Sequence, residues 1–264
     1  MLLRNVFTKT VWDQRRALIV WAIATAAVGA LYASFYPQLA GGAMANLMAN
    51  FPQGLKDAFH LDDLTSAAGY LQSTPFGLLV PMVIMFYGIT TGTRAIAGDE
   101  ESGHLDVLLT HPVSRPRLVL QRFAALFAGA LLISLVVFLA MLAIRSSAQL
   151  DTVTVAGFAA QCVNVALLGT VFGALAIALG AAIGRRVIVL TITAAVGVLT
   201  YAANTFGAQL GAPWTRTLSP FYYYIGSEPL KGGSSWADAT ILGAATVVLL
   251  AAGAWAFTNR DLTS

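Results

Sequence analysis

FAALFAGALLISLVVFLAMLAI, residues 123–144, holds one polar side chain, Ser134, and no charge. A helix needs about 20 apolar residues to cross a hydrocarbon core, and this run supplies 22. Five further runs read the same way: 17–36, 75–93, 155–183, 187–207 and 237–257. Asp238, at the edge of the last, is the only ionisable Asp, Glu, His, Lys or Arg in any of them. Within lipid every backbone N–H and C=O must find a partner inside the protein, so only helices and closed barrels span it. Barrel strands alternate polar and apolar over segments of about ten residues, and no such pattern occurs. The expected fold is therefore all-α, a polytopic membrane protein with six transmembrane helices in a single domain, 1–264. The fourth run, at 29 residues, must tilt or begin outside the core.

Composition agrees. Of 264 residues, 58% are hydrophobic and 10% charged, where a soluble domain carries roughly 25% charge. Mean hydropathy is +0.74. These values exclude an ordinary soluble enzyme, a disordered chain and a DNA-binding protein. The net charge of +3 comes from basic residues at the edges of apolar runs, which suits lipid headgroups and not nucleic acid. With the N-terminus inside, 11 of 15 Lys and Arg fall on the cytoplasmic face. That split predicts both termini in the cytoplasm and location in the plasma (inner) membrane. The first run follows a long basic segment and is itself of spanning length, so it reads as an uncleaved anchor. No connecting segment is long enough for a second core.

Several activities lack their residues. A P-loop needs Gly-Lys-Ser/Thr, and none of the three lysines, Lys9, Lys56 and Lys231, follows a glycine. The spans offer no proton relay. Glu101 and His104 have Glu-x-x-His spacing, but His60 and His111 lack the second copy that a di-metal bundle requires, so no metal site is expected. Cys162 is the single cysteine and reads as a small buried hydrophobe. Gly169 and Gly173, and Gly180 and Gly184, have the four-residue spacing of close helix contacts. In a chain with 24 glycines such pairs also arise by chance.

The connection between the second and third spans, GDEESGHLDVLLTHPVSRPR over 98–117, carries the most information. Asp99, Glu100 and Glu101 end the second helix, and Ser102 can cap a short one. Leu105, Leu108 and Leu109 share one face at i, i+3, i+4 spacing. Pro112 stops that helix, Pro116 suits the first turn of the next, and Arg115, Arg117 and Arg122 suit headgroups. The residues describe an amphipathic helix lying along the membrane. It either seals the bundle or docks a cytoplasmic partner.

Glu101, Gly103, Leu105, Leu108, Leu109, Pro112, Val113, Ser114 and Arg115 together resemble the signature of type-2 ABC transporter permeases. His104 stands where that family often has Thr. The resemblance implies a non-catalytic permease subunit of an exporter, moving a hydrophobic or amphiphilic substrate such as a drug, antibiotic or lipid. It further implies pairing with a second permease subunit, as a homodimer or with a paralogue. A separate cytoplasmic ABC ATPase would bind ATP and Mg, with no cofactor in this chain. The ATPase would dock on the loop, at Glu100 and His104 besides the signature positions. Residues 3–16, with Leu3, Val6, Phe7, Thr10, Val11 and Gln14 on one face, read as a basic interfacial helix. The family has an ATPase-contacting helix there, and a plain membrane anchor is the alternative.

Outside the membrane, Met44, Leu47, Met48 and Phe51 predict a short amphipathic helix ended by Pro52. Before the last span, Pro220, Phe221, Tyr222 and Tyr223 form an aromatic stretch. It is either an interfacial belt or, by the resemblance, an outer gate. Met82, Met85, Phe86 and Tyr87 on the second span, and Asn204 and Phe206 on the fifth, suit the walls of an amphiphile cavity. Helix packing uses the same residue types. The rival functions are an ion-driven transporter or passive channel, a membrane enzyme, and an assembly factor that moves no cargo.

Overall fold

The computed structural model describes residues 6–39, 52, 54, 63, 66–103, 114–232 and 236–260. Six helices among them are long and apolar enough to cross a membrane, and no described residue lies in a strand. They are α1 (Val6–Ala33), α2 (Ala67–Glu101), α3 (Arg115–Ile144), α4 (Val155–Ile183), α5 (Arg186–Phe206) and α6 (Trp236–Asn259). The chain is an integral membrane protein of the all-α class.

α2 and α6 overrun their apolar runs at both ends, and α1 and α3 begin ahead of theirs. The segment expected as an interfacial helix and the first span form one continuous helix from Val6, and Leu3 lies outside the described residues. Residues 44, 47, 48 and 51 of the outer amphipathic helix also lie outside them. The second span is 35 residues long, not 19, and contains two π-helical turns, Pro75–Leu79 and Arg94–Gly98. The first lies just before Pro81, which sits in the opening turn of the α-helical stretch that follows, so the proline does not interrupt the span. α4 keeps its predicted bounds: Thr154 Oγ1 accepts the Gly157 N–H at 3.0 Å, and Gly184 closes the helix at φ +73°.

α4 is the axis of the subunit. Of its most apolar stretch 67% is buried, against 22% for α5. It packs on α2, α3, α5 and α6, while α1 packs on α3 and α2. The α2–α4 contact is backbone on backbone. A Cβ at Gly88 would lie 2.2 Å from Gly169 O, and one at Gly92 would lie 2.5 Å from Gly173 O. Gly88-x-x-x-Gly92 thus lies against the backbone of Gly169-x-x-x-Gly173, and the α2 side of this small-residue seam leaves no room for a side chain. Gly180 and Gly184 do different work: Gly180 faces Ala97, and Gly184 caps.

The outward faces of α1, α3 and α5 carry Val20, Leu135, Val187 and Leu199, all exposed. An apolar outside over a glycine-lined inside is what a lipid solvent selects, since lipid rewards packing and not apolar burial.

Candidate functional site

Three consecutive acids at the end of α2 tie together the basic end of the bundle. Asp99 pairs with Arg122 of α3, and Arg122 Nη1 also donates to Thr10 Oγ1 of α1 at 3.0 Å. Glu100 pairs with Arg260, just past α6, whose Nη1 donates to Ala181 O near the end of α4 at 2.9 Å. Glu101 Oε1 accepts the Arg186 N–H at the start of α5 at 2.8 Å. Asp99, Glu100 and Glu101 therefore reach, directly or through one arginine, every other span. Arg115 completes the clasp: its Nη1 donates to Phe257 O at 2.9 Å and to Arg260 O at 2.8 Å.

The placements suit the helix dipoles. Arg115 and Arg260 meet C-terminal carbonyls, and Glu101 meets an N-terminal N–H. Both ion pairs are largely shielded, with side-chain exposures of 14% and 24% for Arg122 and Asp99 and 20% and 19% for Arg260 and Glu100. A Cβ at Gly184 would lie 2.7 Å from both Glu100 carboxylate oxygens, so the same glycine that ends α4 leaves room for the pair.

The clasp borders the loop that the sequence singled out. Glu100, Glu101 and Arg115, expected at a docking surface, are engaged within the subunit. Gly103 turns the chain away at φ +71°, and exposed Ser114 is the N-cap of α3, with Pro116 in its first turn as expected. His104, Leu105, Leu108, Leu109, Pro112 and Val113 lie outside the described residues. Arg122, Arg260 and Asp99 carry clasp contacts, where sequence reasoning assigned Arg122 only to headgroups and Asp99 only to a helix end and gave Arg260 no contact. Their one legible signal was a surplus of charge of both signs at span ends.

The six residues expected to line a pathway do not converge within one subunit. Met85 is buried against Gly197 of α5. Tyr87 is buried and donates its hydroxyl to Leu126 O at 2.9 Å. Met82 is partly buried against the core, and Phe86 faces outward, 43% exposed. Asn204 is buried with Oδ1 lacking a partner among the described residues. Phe206 lines a separate apolar cleft of about 390 Å³ with Ala203, Leu210 and Thr215 at the C-terminal end of α5.

The aromatic stretch folds inward. Ser219 caps the short helix Pro220–Ile225, accepting the Phe221 N–H at 3.2 Å and donating to Thr200 O of α5 at 2.8 Å. Phe221 is buried between Phe172 of α4 and Tyr201 of α5, ring centroids 5.6 and 5.2 Å away. Tyr224 donates to Phe76 O of α2 at 2.9 Å, and Asn164 of α4 donates to Tyr224 O at 3.0 Å. Tyr222 and Tyr223 are half-buried, edge to face with each other. Half of this stretch is thus a plug wedged among α2, α4 and α5. Replacing Tyr224 with Phe leaves Phe76 O without that donor. We expect it to lower stability by about 1 kcal/mol, read as a fall in thermal midpoint in detergent. An unchanged midpoint would mean that the plug is held by packing alone.

The family model described as "Multidrug efflux system permease Rv1217c, C-terminal domain" matches residues 3–258. The chain belongs to this permease family. The match runs over the six apolar runs and every clasp residue except Arg260, and it agrees with the resemblance of the 98–117 loop to type-2 ABC permeases. No curated protein matches the chain. Among the permease's described residues no group of three His, Cys, Asp or Glu could hold a metal ion.

Proposed function

We propose that this permease is the membrane subunit of an ATP-driven exporter of hydrophobic or amphiphilic molecules. A separate ABC ATPase, holding ATP and Mg, docks on the 98–117 loop and on the start of α1. A second permease unit completes the pathway, and both termini lie in the cytoplasm. The clasp carries this reading. The loop follows Gly103 and ends at Ser114, and the residues beside those points bond to every span. A push on the loop by a closing ATPase pair is thereby delivered to six helix ends together. Leu105, Leu108 and Leu109 supply the apolar face for the ATPase groove, while Glu100, Glu101 and Arg115 hold its base. Coupling requires that each ATPase state bind one permease state better than the other.

The family's description as a multidrug efflux permease supports varied apolar cargo. So do spans that lack a fixed charge. A pathway between two subunits also accounts for Phe86 and Phe206 facing away from the core of one. Replacing Leu108 and Leu109 with Asp tests the docking. We expect the ATPase to be lost on purification, by at least about tenfold, since two apolar contacts become two desolvated charges. The spans should still insert. Undiminished co-purification would end the docking assignment. Transport of a fluorescent amphiphile into inverted vesicles separates the rivals: a requirement for ATP supports the exporter, and dependence on an ion gradient alone overturns it.

A further inference from the structure

A second site lies between α1 and α2, one helical turn inward from the clasp. Gln14, Trp21, Tyr87, Thr90, Thr91 and Arg94 line a crevice of about 120 Å³. Gln14 stands one turn beyond Thr10, which Arg122 contacts, and Arg94 precedes Asp99 by one π-helical turn. Arg94 differs from its neighbours. Arg115, Arg122 and Arg260 are each bonded within the subunit. Arg94 is exposed, and no carboxylate lies within ion-pair range of it among the described residues. The Gln14 amide and the Trp21 indole N–H, both half-buried, also have no hydrogen-bond partner among those residues. The Tyr87 hydroxyl is already committed to Leu126 O.

We infer that this crevice takes the phosphodiester headgroup of an anionic membrane lipid. The unpaired donors are one guanidinium, one amide and one indole N–H, which suit an anionic oxygen cluster and offer little to a cation. Guanidinium in particular binds phosphate through two N–H groups at once. The volume is decisive against a whole drug-sized guest, whose pockets begin at about 300 Å³. Ile19, Val20 and Ile23 leave α1 with an exposed apolar flank beyond the crevice, along which acyl chains can lie. Trp21 stands near the start of the apolar run 17–36, and indoles are enriched toward span ends, at headgroup level. The site depends on the α1–α2 contact and a membrane, and not on the ATPase, so it and the transport reading fail separately.

The test uses purified, delipidated permease and native mass spectrometry with phosphatidylglycerol and phosphatidylcholine vesicles. The wild type should retain phosphatidylglycerol over phosphatidylcholine by roughly fivefold, and Arg94→Gln should lose that preference at an unchanged thermal midpoint. Arg117→Gln alters an equally exposed arginine at the same end and should keep it. Preference retained in Arg94→Gln, or lost equally in Arg117→Gln, would overturn the site in favour of a diffuse basic surface. Displacement of the lipid by an equal concentration of chainless glycerophosphoglycerol would overturn the lipid assignment and leave a pocket for a soluble anion.

Discussion

Gly88→Leu is expected to remove most of the folded permease from a mild-detergent extract. The reason is distance. A Cβ at Gly88 would stand 2.2 Å from Gly169 O and 3.0 Å from Gly173 N, and both are backbone atoms of the central helix. A side chain can swing aside, but a helix backbone can only translate. Moving α4 away from α2 would also open its contacts with α3, α5 and α6. Overpacking against side chains costs about 1–3 kcal/mol, and this clash should cost at least the upper figure. For a chain of this size that is roughly a 10 °C fall in thermal midpoint, accompanied by loss of monodisperse protein. Gly243→Leu is the control, because nothing lies within 4 Å of a Cβ there. It should fall within about 0.5 kcal/mol of wild type. Equal effects of the two substitutions would show that the seam does not hold α2 on α4.

The second large effect is expected at the clasp. Glu100→Gln keeps the shape of the side chain and removes its charge, which leaves Arg260 facing carbonyls with its counter-ion gone. Breaking one side of a buried pair costs about 3–5 kcal/mol, and partial exposure of both partners lowers the expectation to about 2 kcal/mol. Arg260→Gln should cost at least as much, because it also loses the bond to Ala181 O. The double substitution should cost less than the two singles added, by about 1 kcal/mol or more. Thermal unfolding of all four proteins in detergent reads the cycle. Strict additivity would mean that Glu100 and Arg260 act independently and that the ends of α2, α4 and α6 are not joined through them.

Six runs free of charge, apart from Asp238 at the edge of the last, were enough to settle the number of spans, because a lipid solvent forbids unpaired backbone and charge alike. The bounds of α4 were legible for a related reason. They coincide with its apolar run, and the caps that the structure shows there, Thr154 and Gly184, act through local chemistry that no neighbouring element supplies. The length of the second span was not legible. Its apolar run is 19 residues, but helical turns continue through polar residues at both ends, where packing and the clasp replace hydropathy as the cause.

The loop motif was legible as a pattern, and its resemblance pointed to the permease family. The role of the acids beside it was not. Asp99, Glu100 and Glu101 read as the end of the second helix, and Glu100 and Glu101 as part of a docking surface, because their partners Arg122, Arg260 and Arg186 lie 23, 160 and 85 residues away. The glycines divide in the same manner. Gly169-x-x-x-Gly173 could be seen in the chain, but a small-residue pair is a contact only if another helix brings its backbone there, and Gly88 and Gly92 do.

Hydropathy, caps and turn residues act over a few positions, so the sequence by itself determined that this is a six-helix membrane protein and where most helices begin or stop. Which helix lies at the centre, which glycines admit a neighbour, and which arginines are spent on carboxylates and carbonyls while Arg94 is left open were decided only by the tertiary structure. Those outcomes depend on distances between residues far apart in the chain, and a pattern along one chain carries no such distances.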